Sequence, residues 1–199
     1  MNVMVLATGN SHKVSEFNYL FKSSCLKISS AEEFGGMPFV EENGSDFHAN
    51  ALLKARALSN EINQKHWVIA DDSGLEVDFL NGEPGIFSAR YAGENASDNE
   101  NVKKLLNRLL DVPEKDLGAR FRCVLCLIDK KKEIYYFEGI CHGMIQLMPS
   151  GILGFGYDPI FVPKGYNRTF AELGTIVKSK LSHRALAVRK CEKFLKKYF

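Results

Sequence analysis

Apolar residues recur along this chain at two spacings, one typical of β-strands and one typical of helices. Short apolar runs favour strands, whereas longer segments with apolar residues three or four apart favour amphipathic helices. The pattern predicts, in chain order, a strand at 2–8, helices at 11–22 and 45–64, a strand at 67–70, a β-like run at 75–80, a helix opened by the capping box that begins at Ser97, strands at 119–129 and 133–146, and a helix from Ser182. A lysine turn joins the two long strands, so the predicted fold is α/β, with a mixed sheet around a long central hairpin.

Two adjacent carboxylates follow the apolar run at 67–70. Asp71 and Asp72 should point to opposite faces of the strand, because successive strand residues alternate. With Ser73 they supply the oxygen ligands that Mg²⁺ takes in proteins, often together with substrate phosphates. Gly74 predicts a sharp turn directly after them, at the end of the strand. The same residues also suit an ordinary turn, so this segment alone leaves both interpretations open.

The connection between the first predicted strand and the first helix is a candidate phosphate-binding segment. It reads Thr8-Gly9-Asn10-Ser11-His12-Lys13, a glycine turn followed by Ser11 as the predicted N-cap. The N–H groups of such a helix start attract phosphate, and Lys13 can add a positive charge. A capped turn with a surface lysine is the alternative, because the segment is neither a P-loop nor a dinucleotide fingerprint.

A lysine in the predicted helix at 45–64 is the next candidate. Lys54 lies at the edge of the apolar stripe, where it either extends along the surface to reach water or points at an anion in a cleft. Glu41 and Glu42 precede this helix, in a segment that is most simply a solvated turn. Spacing alone does not separate these interpretations.

Two further segments have the composition of a ligand site. Gly151, Gly154 and Gly156 favour a backbone that something approaches closely, and Phe155 is either a stacking surface for a nucleobase or a buried plug. Near the C-terminus, Ser182 as an N-cap places His183 and Arg184 on the first helical turn. Cations there are disfavoured by the helix dipole, so a ligand with carbonyl or phosphate oxygens explains them better.

Composition excludes several classes of protein. The 199 residues carry 26 Lys and Arg against 24 Asp and Glu, a net charge of +2, so a broad nucleic-acid surface is not expected. The sequence has no run long enough to span a membrane, and its first residues lack the apolar h-region of a signal peptide, so neither a membrane span nor a secretory leader is expected. The five cysteines are odd in number and lack a framework spacing, which favours reduced thiols in the cytoplasm. Cys123 and Cys126 should face opposite sides of a strand and pack in the core rather than bind zinc.

Taken in order, these segments resemble the inosine/xanthosine triphosphate pyrophosphatase family. The resemblance covers essentially the whole chain. The matching stretches are Leu6-Ala7-Thr8-Gly9-Asn10 with Lys13 and Glu16, Ala51-Leu52-Leu53-Lys54-Ala55, Asp71-Asp72-Ser73-Gly74-Leu75-Glu76-Val77-Asp78, Pro84-Gly85-Ile86-Phe87-Ser88-Ala89-Arg90-Tyr91-Ala92-Gly93, Gly154-Phe155-Gly156-Tyr157-Asp158-Pro159-Ile160-Phe161, Ala171-Glu172-Leu173 and Ser182-His183-Arg184.

The resemblance implies a single domain over residues 1–199, with two lobes flanking a nucleotide cleft, that forms a homodimer. It implies Mg²⁺-dependent hydrolysis, with Mn²⁺ as a substitute, of the deaminated purine nucleotides ITP, dITP and XTP to a nucleoside monophosphate and pyrophosphate, which would clear them from the nucleotide pool. Glu42 and Asp72 would hold the metal, and Asp72 would also activate water. The residues implied to bind the triphosphate are Thr8, Gly9, Asn10, Ser11, His12, Lys13 and Lys54. Those implied to enclose the base are Phe155, Gly156, Tyr157, Asp158, Lys178, His183 and Arg184. Ser73 is also implied to bind the substrate.

The chain departs from the family pattern at two positions. Ala49 stands where the family usually has a glutamate before the lysine helix, so one nearby carboxylate is missing. Ala185 replaces a glycine after Ser-His-Arg, a mild change within a helix. The alternatives to this function are a pyrophosphatase for other modified nucleotides and a nucleotide-binding regulator without catalysis.

Overall fold

The structure, a computed structural model, describes residues 2–22, 26–62 and 66–198. It contains six strands and five α-helices within these ranges. The strands are β1 Asn2–Ala7, β2 Leu26–Ser30, β3 Trp67–Val77, β4 Gly118–Ile128, β5 Ile134–Ile145 and β6 Phe161–Pro163. The helices are α1 Ser11–Leu20, α2 Phe47–Glu61, α3 Asp98–Leu109, α4 Phe170–Leu181 and α5 His183–Leu195.

The strands form one mixed sheet in the order β2-β1-β3-β4-β5-β6. β1 pairs in parallel with β2, from Asn2 opposite Leu26, and with β3, from Met4 opposite Trp67. β5 pairs antiparallel with β6, and the long strands β4 and β5 are neighbours joined by the lysine turn. The predicted α/β class and mixed sheet with a long central hairpin are confirmed.

β3 differs from its prediction. It continues unbroken from Trp67 to Val77, so the two acids lie in the middle of a strand and the turn predicted at Gly74 is wrong. The glycine has a different cause: a Cβ at this position would overlap the carbonyl oxygen of Gly85 and the hydroxyl of Ser88. Close approach of a neighbouring segment, not a turn, requires glycine here.

The chain divides into two compact units. The first comprises Met1–Asp72, Cys123–Gly139 and Ala187–Phe199, and the second comprises Ser73–Arg122 and Ile140–Leu186. Each unit has its own apolar core. The first core includes Met4, Leu6, Phe17, Ile69, Leu125, Val188 and Cys191, and the second includes Leu75, Val77, Leu105, Leu109, Phe121, Ile160 and Phe161.

The helix starts follow local capping rules, with two shifts from the predicted positions. Asn10 rather than Ser11 caps α1. Helix α2 begins at Phe47 rather than at Ser45, and its N-cap Asp46 accepts the N–H of Ala49. The predicted end of that second helix, at residue 64, lies outside the described residues. The capping box at Ser97 opens α3 as predicted.

Helix α4 is missing from the predicted pattern. Thr169 caps it through a box with Glu172, and Gly174 interrupts it with a left-handed φ of 70°. A single residue, Ser182, then separates α4 from α5. The N–H of Ser182 donates to Lys178 at the end of α4, while its hydroxyl accepts the N–H of Ala185 at the start of α5, as the predicted N-cap requires.

No helix within the described ranges is both long and apolar enough to cross a membrane. The described cysteines, Cys123, Cys126, Cys141 and Cys191, are all buried thiols. Burial of Cys123 and Cys126 confirms their prediction as core residues, whereas Cys25 lies outside the described residues.

Candidate functional site

Three of the predicted site residues meet in the first unit around one ammonium group. Lys54 Nζ lies 2.6 Å from Asp72 Oδ1 and 3.2 Å from Glu42 Oε2. Lys54 comes from α2, Asp72 from β3, and Glu42 from the segment before α2. Lys54 and Asp72 are only 7% and 5% exposed. The lysine therefore points inward at two carboxylates, and the alternative that it extends along the surface to reach water is wrong.

Burial and charge act in opposite directions on this group. Burial alone would lower the pKa of Lys54, but the carboxylates of Asp72 and Glu42 outweigh it and raise that pKa above the usual lysine value. Burial raises the pKa of Asp72, and the charges of Lys54 and Lys13 oppose that rise without cancelling it. The cluster holds two carboxylates against one lysine in a poorly hydrated setting, so it can accommodate further positive charge.

The second oxygen of Asp72 is the clearest sign of a missing partner. Asp72 Oδ2 is buried and has no hydrogen-bond partner among the described residues. Buried carboxylate oxygens normally have a donor or a cation beside them. A hard divalent cation bound by Asp72 and Glu42, with phosphate oxygens completing its shell, fits this donor set. No group of three or more His, Cys, Asp or Glu in the described ranges gathers to bind a metal without such help.

Asp71 points to the other face of β3, as strand alternation predicts. Its Oδ1 forms an ion pair with Lys13 Nζ, which also donates to the backbone carbonyl of Asp71 at 3.3 Å. Its Oδ2 accepts the thiol of Cys123 at 3.1 Å. Asp71 is 1% exposed, whereas the side chain of Lys13 keeps 16% of its surface in solvent. The adjacent acids thus each hold a different lysine.

The candidate phosphate segment in the same unit is ordered by its own side chains. Thr8 Oγ1 accepts the N–H of Asn10 at 3.1 Å, and Asn10 Oδ1 accepts the N–H of Lys13 at 3.1 Å. Ser11 and His12 are exposed on the first turn of α1. The helix start and the lysine of the prediction are therefore present, but residues 8–10 form an irregular connection and the N-cap is Asn10.

Asn50 links the glutamate segment to the lysine helix. It lies on α2 one turn before Lys54 and is fully buried. Its Oδ1 accepts the N–H of Gly44 at 2.8 Å, two residues after Glu42, while its Nδ2 has no hydrogen-bond partner among the described residues. A Cβ at Gly44 would overlap Asn50 Oδ1, so the glycine allows this close approach.

The glycine-rich loop of the second unit is built around a buried ion pair. Asp158 Oδ2 lies 2.6 Å from Lys178 Nζ and accepts the N–H of Phe155 at 2.9 Å. The ammonium of Lys178 in turn lies 4.6 Å from the centroid of the Phe155 ring. A Cβ at Gly154 would overlap the Asp158 carboxylate, so the close approach predicted for this glycine is made by the chain's own aspartate.

Tyr157 connects the same loop to the segment that contains Ser88. Its hydroxyl donates to the backbone carbonyl of Ser88 at 2.9 Å, and burial raises the pKa of Tyr157 above its usual range. The Ser88 hydroxyl accepts the N–H of Leu75 and donates to the carbonyl of Gly85. Tyr157 is thus a structural anchor, and Phe155 beside it is only half-buried.

His183 and Arg184 occupy the first turn of α5, but both are buried, at 4% and 2% exposure. The His183 ring stacks on Phe121 with centroids 4.7 Å apart and an interplanar angle of 14°. Arg184 Nη2 donates to Ser73 Oγ at 3.3 Å, and its guanidinium lies 6.0 Å from the Phe155 ring centroid. A buried arginine next to an aromatic ring and a hydroxyl gives this unit a second source of donors.

A model of the Ham1 family matches residues 4–194 of this chain. The chain belongs to the Ham1 family. A protein named dITP/XTP pyrophosphatase from Opitutus terrae is 48% identical over 188 residues, covering 92% of this chain and 93% of the relative. One of the same name from Oceanobacillus iheyensis is 44% identical over 196 residues, 98% of each chain. The structure of the Staphylococcus aureus Ham1 protein matches with a TM-score of 0.87 and 41% identity over 100% of both chains.

Membership of the Ham1 family confirms the resemblance predicted from the motifs. The structure collects the predicted site residues into two groups, one within each unit. The first group is Glu42, Lys54 and Asp72, with Lys13 and the 8–13 segment, and the second is Ser73, Phe155, Asp158, Lys178, His183 and Arg184. Their roles toward a substrate stay predictions.

Sequence reasoning missed supporting residues of both groups in this Ham1-family chain. Asn50 lies one turn before Lys54 on the same flank of the predicted helix, which is a usable signal, but the sequence alone gives it no role. Asp98 contacts the loop at Gly156, 58 residues away, and no local pattern reveals such a contact.

Proposed function

We propose that this chain is a Mg²⁺-dependent pyrophosphatase that hydrolyses dITP, ITP and XTP to the nucleoside monophosphate and pyrophosphate. The predicted enzyme class, a nucleoside-triphosphate pyrophosphatase, is confirmed by relatives that are named dITP/XTP pyrophosphatase and are 42–48% identical to this chain. The observation that carries the proposal is the buried cluster of Lys54, Asp72 and Glu42, with Asp72 Oδ2 lacking a partner among the described residues.

The metal belongs to the proposal because the donor set fits it. Glu42 and Asp72 would hold Mg²⁺, which neutralises phosphate charge when it is bound. Mn²⁺ would substitute for Mg²⁺ because it accepts the same oxygen ligands. Ala49, in place of the usual glutamate, leaves these two carboxylates as the proposed protein ligands.

The residues of the first unit would carry the chemistry on the phosphates. Asp72 would accept a proton from the water whose oxygen attacks the α-phosphorus, while the bond from that phosphorus to the bridging oxygen breaks and pyrophosphate leaves. Lys54, held at 2.6 Å by Asp72, and Lys13, held by Asp71, neutralise the triphosphate and the charge that develops on the leaving group. The 8–13 segment supports the same phosphates through helix N–H groups.

The residues of the second unit would select the base. Phe155 offers a ring face for stacking, and His183, Arg184 and Lys178 can donate to the oxygen at C6 of hypoxanthine or xanthine. Adenine has an amino donor there, which would oppose these donors, and mismatched buried polar groups can discriminate by about 10⁴–10⁵. GTP shares the C6 oxygen, so its rejection falls on the amino group at C2.

Release of pyrophosphate from ITP, dITP, XTP, GTP and ATP, with and without EDTA, tests the proposal. We expect kcat/KM for ITP, dITP and XTP to be well above that for GTP, and kcat/KM for GTP to equal or exceed that for ATP. Asp72→Asn keeps the size of the side chain but removes its charge, and should lower kcat by about 10²–10⁴. Arg184→Ala should lower ITP turnover and narrow the gap to ATP.

The results also separate the alternatives. Full activity in EDTA would contradict the metal assignment, and an Asp72→Asn enzyme near wild type would contradict the role of Asp72 as metal ligand and proton acceptor. Equal turnover of ATP and ITP would contradict the proposed selection of the nucleobase. Tight nucleotide binding without turnover would favour a regulator. The predicted homodimer and cytoplasmic location stay predictions, and sedimentation of the purified chain checks the former.

A further inference from the structure

The first residue of α3 contacts the glycine-rich loop of the second unit, which contains Phe155 and Gly156, through its side chain. Asp98, the first residue of α3, accepts the backbone N–H of Gly156 through Oδ2 at 2.6 Å. Gly156, which lies between Phe155 and Tyr157, has a left-handed backbone conformation with a φ of +61°. Asp98 is exposed and 58 residues away in sequence, so this bond is a tertiary contact rather than local capping.

A second carboxylate holds the preceding residue. The N–H of Phe155 donates to Asp158 Oδ2 at 2.9 Å, so two successive N–H groups of the loop donate to two different aspartates. Hydrogen bonds to ionised acceptors are stronger than neutral ones. Together the two bonds fix the peptide planes on both sides of Phe155, and thereby the direction in which its side chain leaves the backbone.

Both N–H groups are therefore already used. A base that drew a hydrogen bond from either would have to displace a carboxylate, which costs the charge-assisted bond. The charged side-chain donors beside the Phe155 ring are Lys178 and Arg184, and we assign the contact with the C6 oxygen to these two or to His183.

We propose that Asp98 is a positioning residue for base recognition: it fixes the loop at Gly156 so that the Phe155 ring is in place before the nucleotide arrives. Pre-ordering of a binding loop improves affinity because its entropy is not lost on binding. This inference rests on the proposed function and assigns Asp98 to its base-binding half, not to the phosphates or to catalysis.

The chain offers a matched control for an effect on α3 alone. Asp98 is an acid in the first turn of the helix and would stabilise it there whether or not the loop needs it. Glu100 also stabilises this helix start, by accepting the N–H and hydroxyl of Ser97 at 2.7 Å. Glu100→Ala removes a helix cap but leaves the bond from Gly156 to Asp98 possible.

Two probes separate the base from the phosphates. Calorimetric titration with IMP reports the base half, and titration with inorganic tripolyphosphate reports the phosphate half without any base. Asp98→Ala should weaken IMP binding by about two- to tenfold, the range for one hydrogen bond, and leave tripolyphosphate binding unchanged. Asp98→Asn keeps an acceptor oxygen and should restore most of the IMP affinity, and Glu100→Ala should bind both probes as wild type does.

IMP binding unchanged in Asp98→Ala would overturn the inference. So would an equal loss for tripolyphosphate, or the same IMP loss in Glu100→Ala, because either would mean that Asp98 only supports the fold. A wild-type protein that releases no pyrophosphate from ITP would instead contradict the proposed function, whatever the comparison of the two probes gives.

Discussion

At the scale of single residues, the ion pair of Lys54 with Asp72 couples stability to chemistry. Each partner is more than nine-tenths buried, and each is the main compensation for the charge of the other. Buried ion pairs of this kind add little net stability over an apolar pair. Loss of one partner is nevertheless destabilising, because the other charge then stays buried with neither a counter-charge nor water beside it. Natural replacement of either residue alone is therefore costly even before activity is considered.

We expect Lys54→Met to destabilise the fold by about 3 kcal/mol at pH 7, because Asp72 loses its counter-charge. The double variant Lys54→Met with Asp72→Asn should recover much of this loss, since the buried charge is then gone. Urea unfolding curves measure both. Lys103→Met, at an exposed lysine, should change stability by no more than about 0.5 kcal/mol. A double variant less stable than Lys54→Met would contradict the coupling.

The sequence predicted the chemistry of these residues better than their surroundings. Asp71 and Asp72 stood out because two acids beside an apolar run are costly unless compensated, and alternation correctly placed them on opposite faces. The partners, Lys13 and Lys54, lie 58 and 18 residues away, and only the resemblance brought them to the same site. Asp98 has no such local cost, so nothing in the sequence distinguished it from an ordinary first-turn acid.

At the scale of elements, helix α2 and the segment before it act as one support. Asn50 ties Gly44 to α2, so the position of Glu42 depends on the same helix that carries Lys54. The bond is part-buried, and its acceptor belongs to a fully buried side chain.

Asn50→Ala should therefore weaken divalent metal binding, by about 10- to 100-fold if Glu42 is a ligand, which is the usual cost of losing a partner that orients a ligand. Titration with Mn²⁺, followed by electron paramagnetic resonance, measures this without turnover. Asn60→Ala, at an exposed position of the same helix, is the control. If both variants bind Mn²⁺ as wild type does, Asn50 is not part of the metal site.

Element prediction failed where glycine had more than one possible cause. The glycine after the two acids suggested a turn, but β3 passes straight through it, because a neighbouring segment packs where a Cβ would be. In α4, Gly174 interrupts the helical period and hides the helix, although the Thr169 and Glu172 capping box has the same pattern as the box correctly recognised at Ser97. Periodicity records which residues are apolar, not which backbone another segment approaches.

At the scale of the whole molecule, the described thiols are buried in the cores of both units. Cys123 and Cys191 lie in the first core and Cys141 in the second. Burial raises the pKa of Cys126 and of Cys141 to about 12 and raises that of Cys191 still further. Since the thiolate is the reactive form, these groups should be inert in the folded chain.

A Cys25→Ser variant retains only the four described thiols and should react very slowly with Ellman's reagent at pH 8. A pKa of about 12 leaves only about 10⁻⁴ of a thiol ionised there, and burial adds a barrier to access. In 8 M urea, used as the reference, all four should react at once. Rapid labelling of any of them in the native variant would show that its core opens readily.

Ser182 has a consequence for how the length of this chain can change. The residue ends α4 with its N–H and begins α5 with its hydroxyl, so the junction contains no spare residue. One inserted residue would turn the following helix by about 100° and carry His183 and Arg184 round with it. The lysine turn at 130–132, exposed between two strands, has no such restriction. Insertions and deletions should therefore accumulate at the hairpin during evolution, while the helix junction keeps a fixed length.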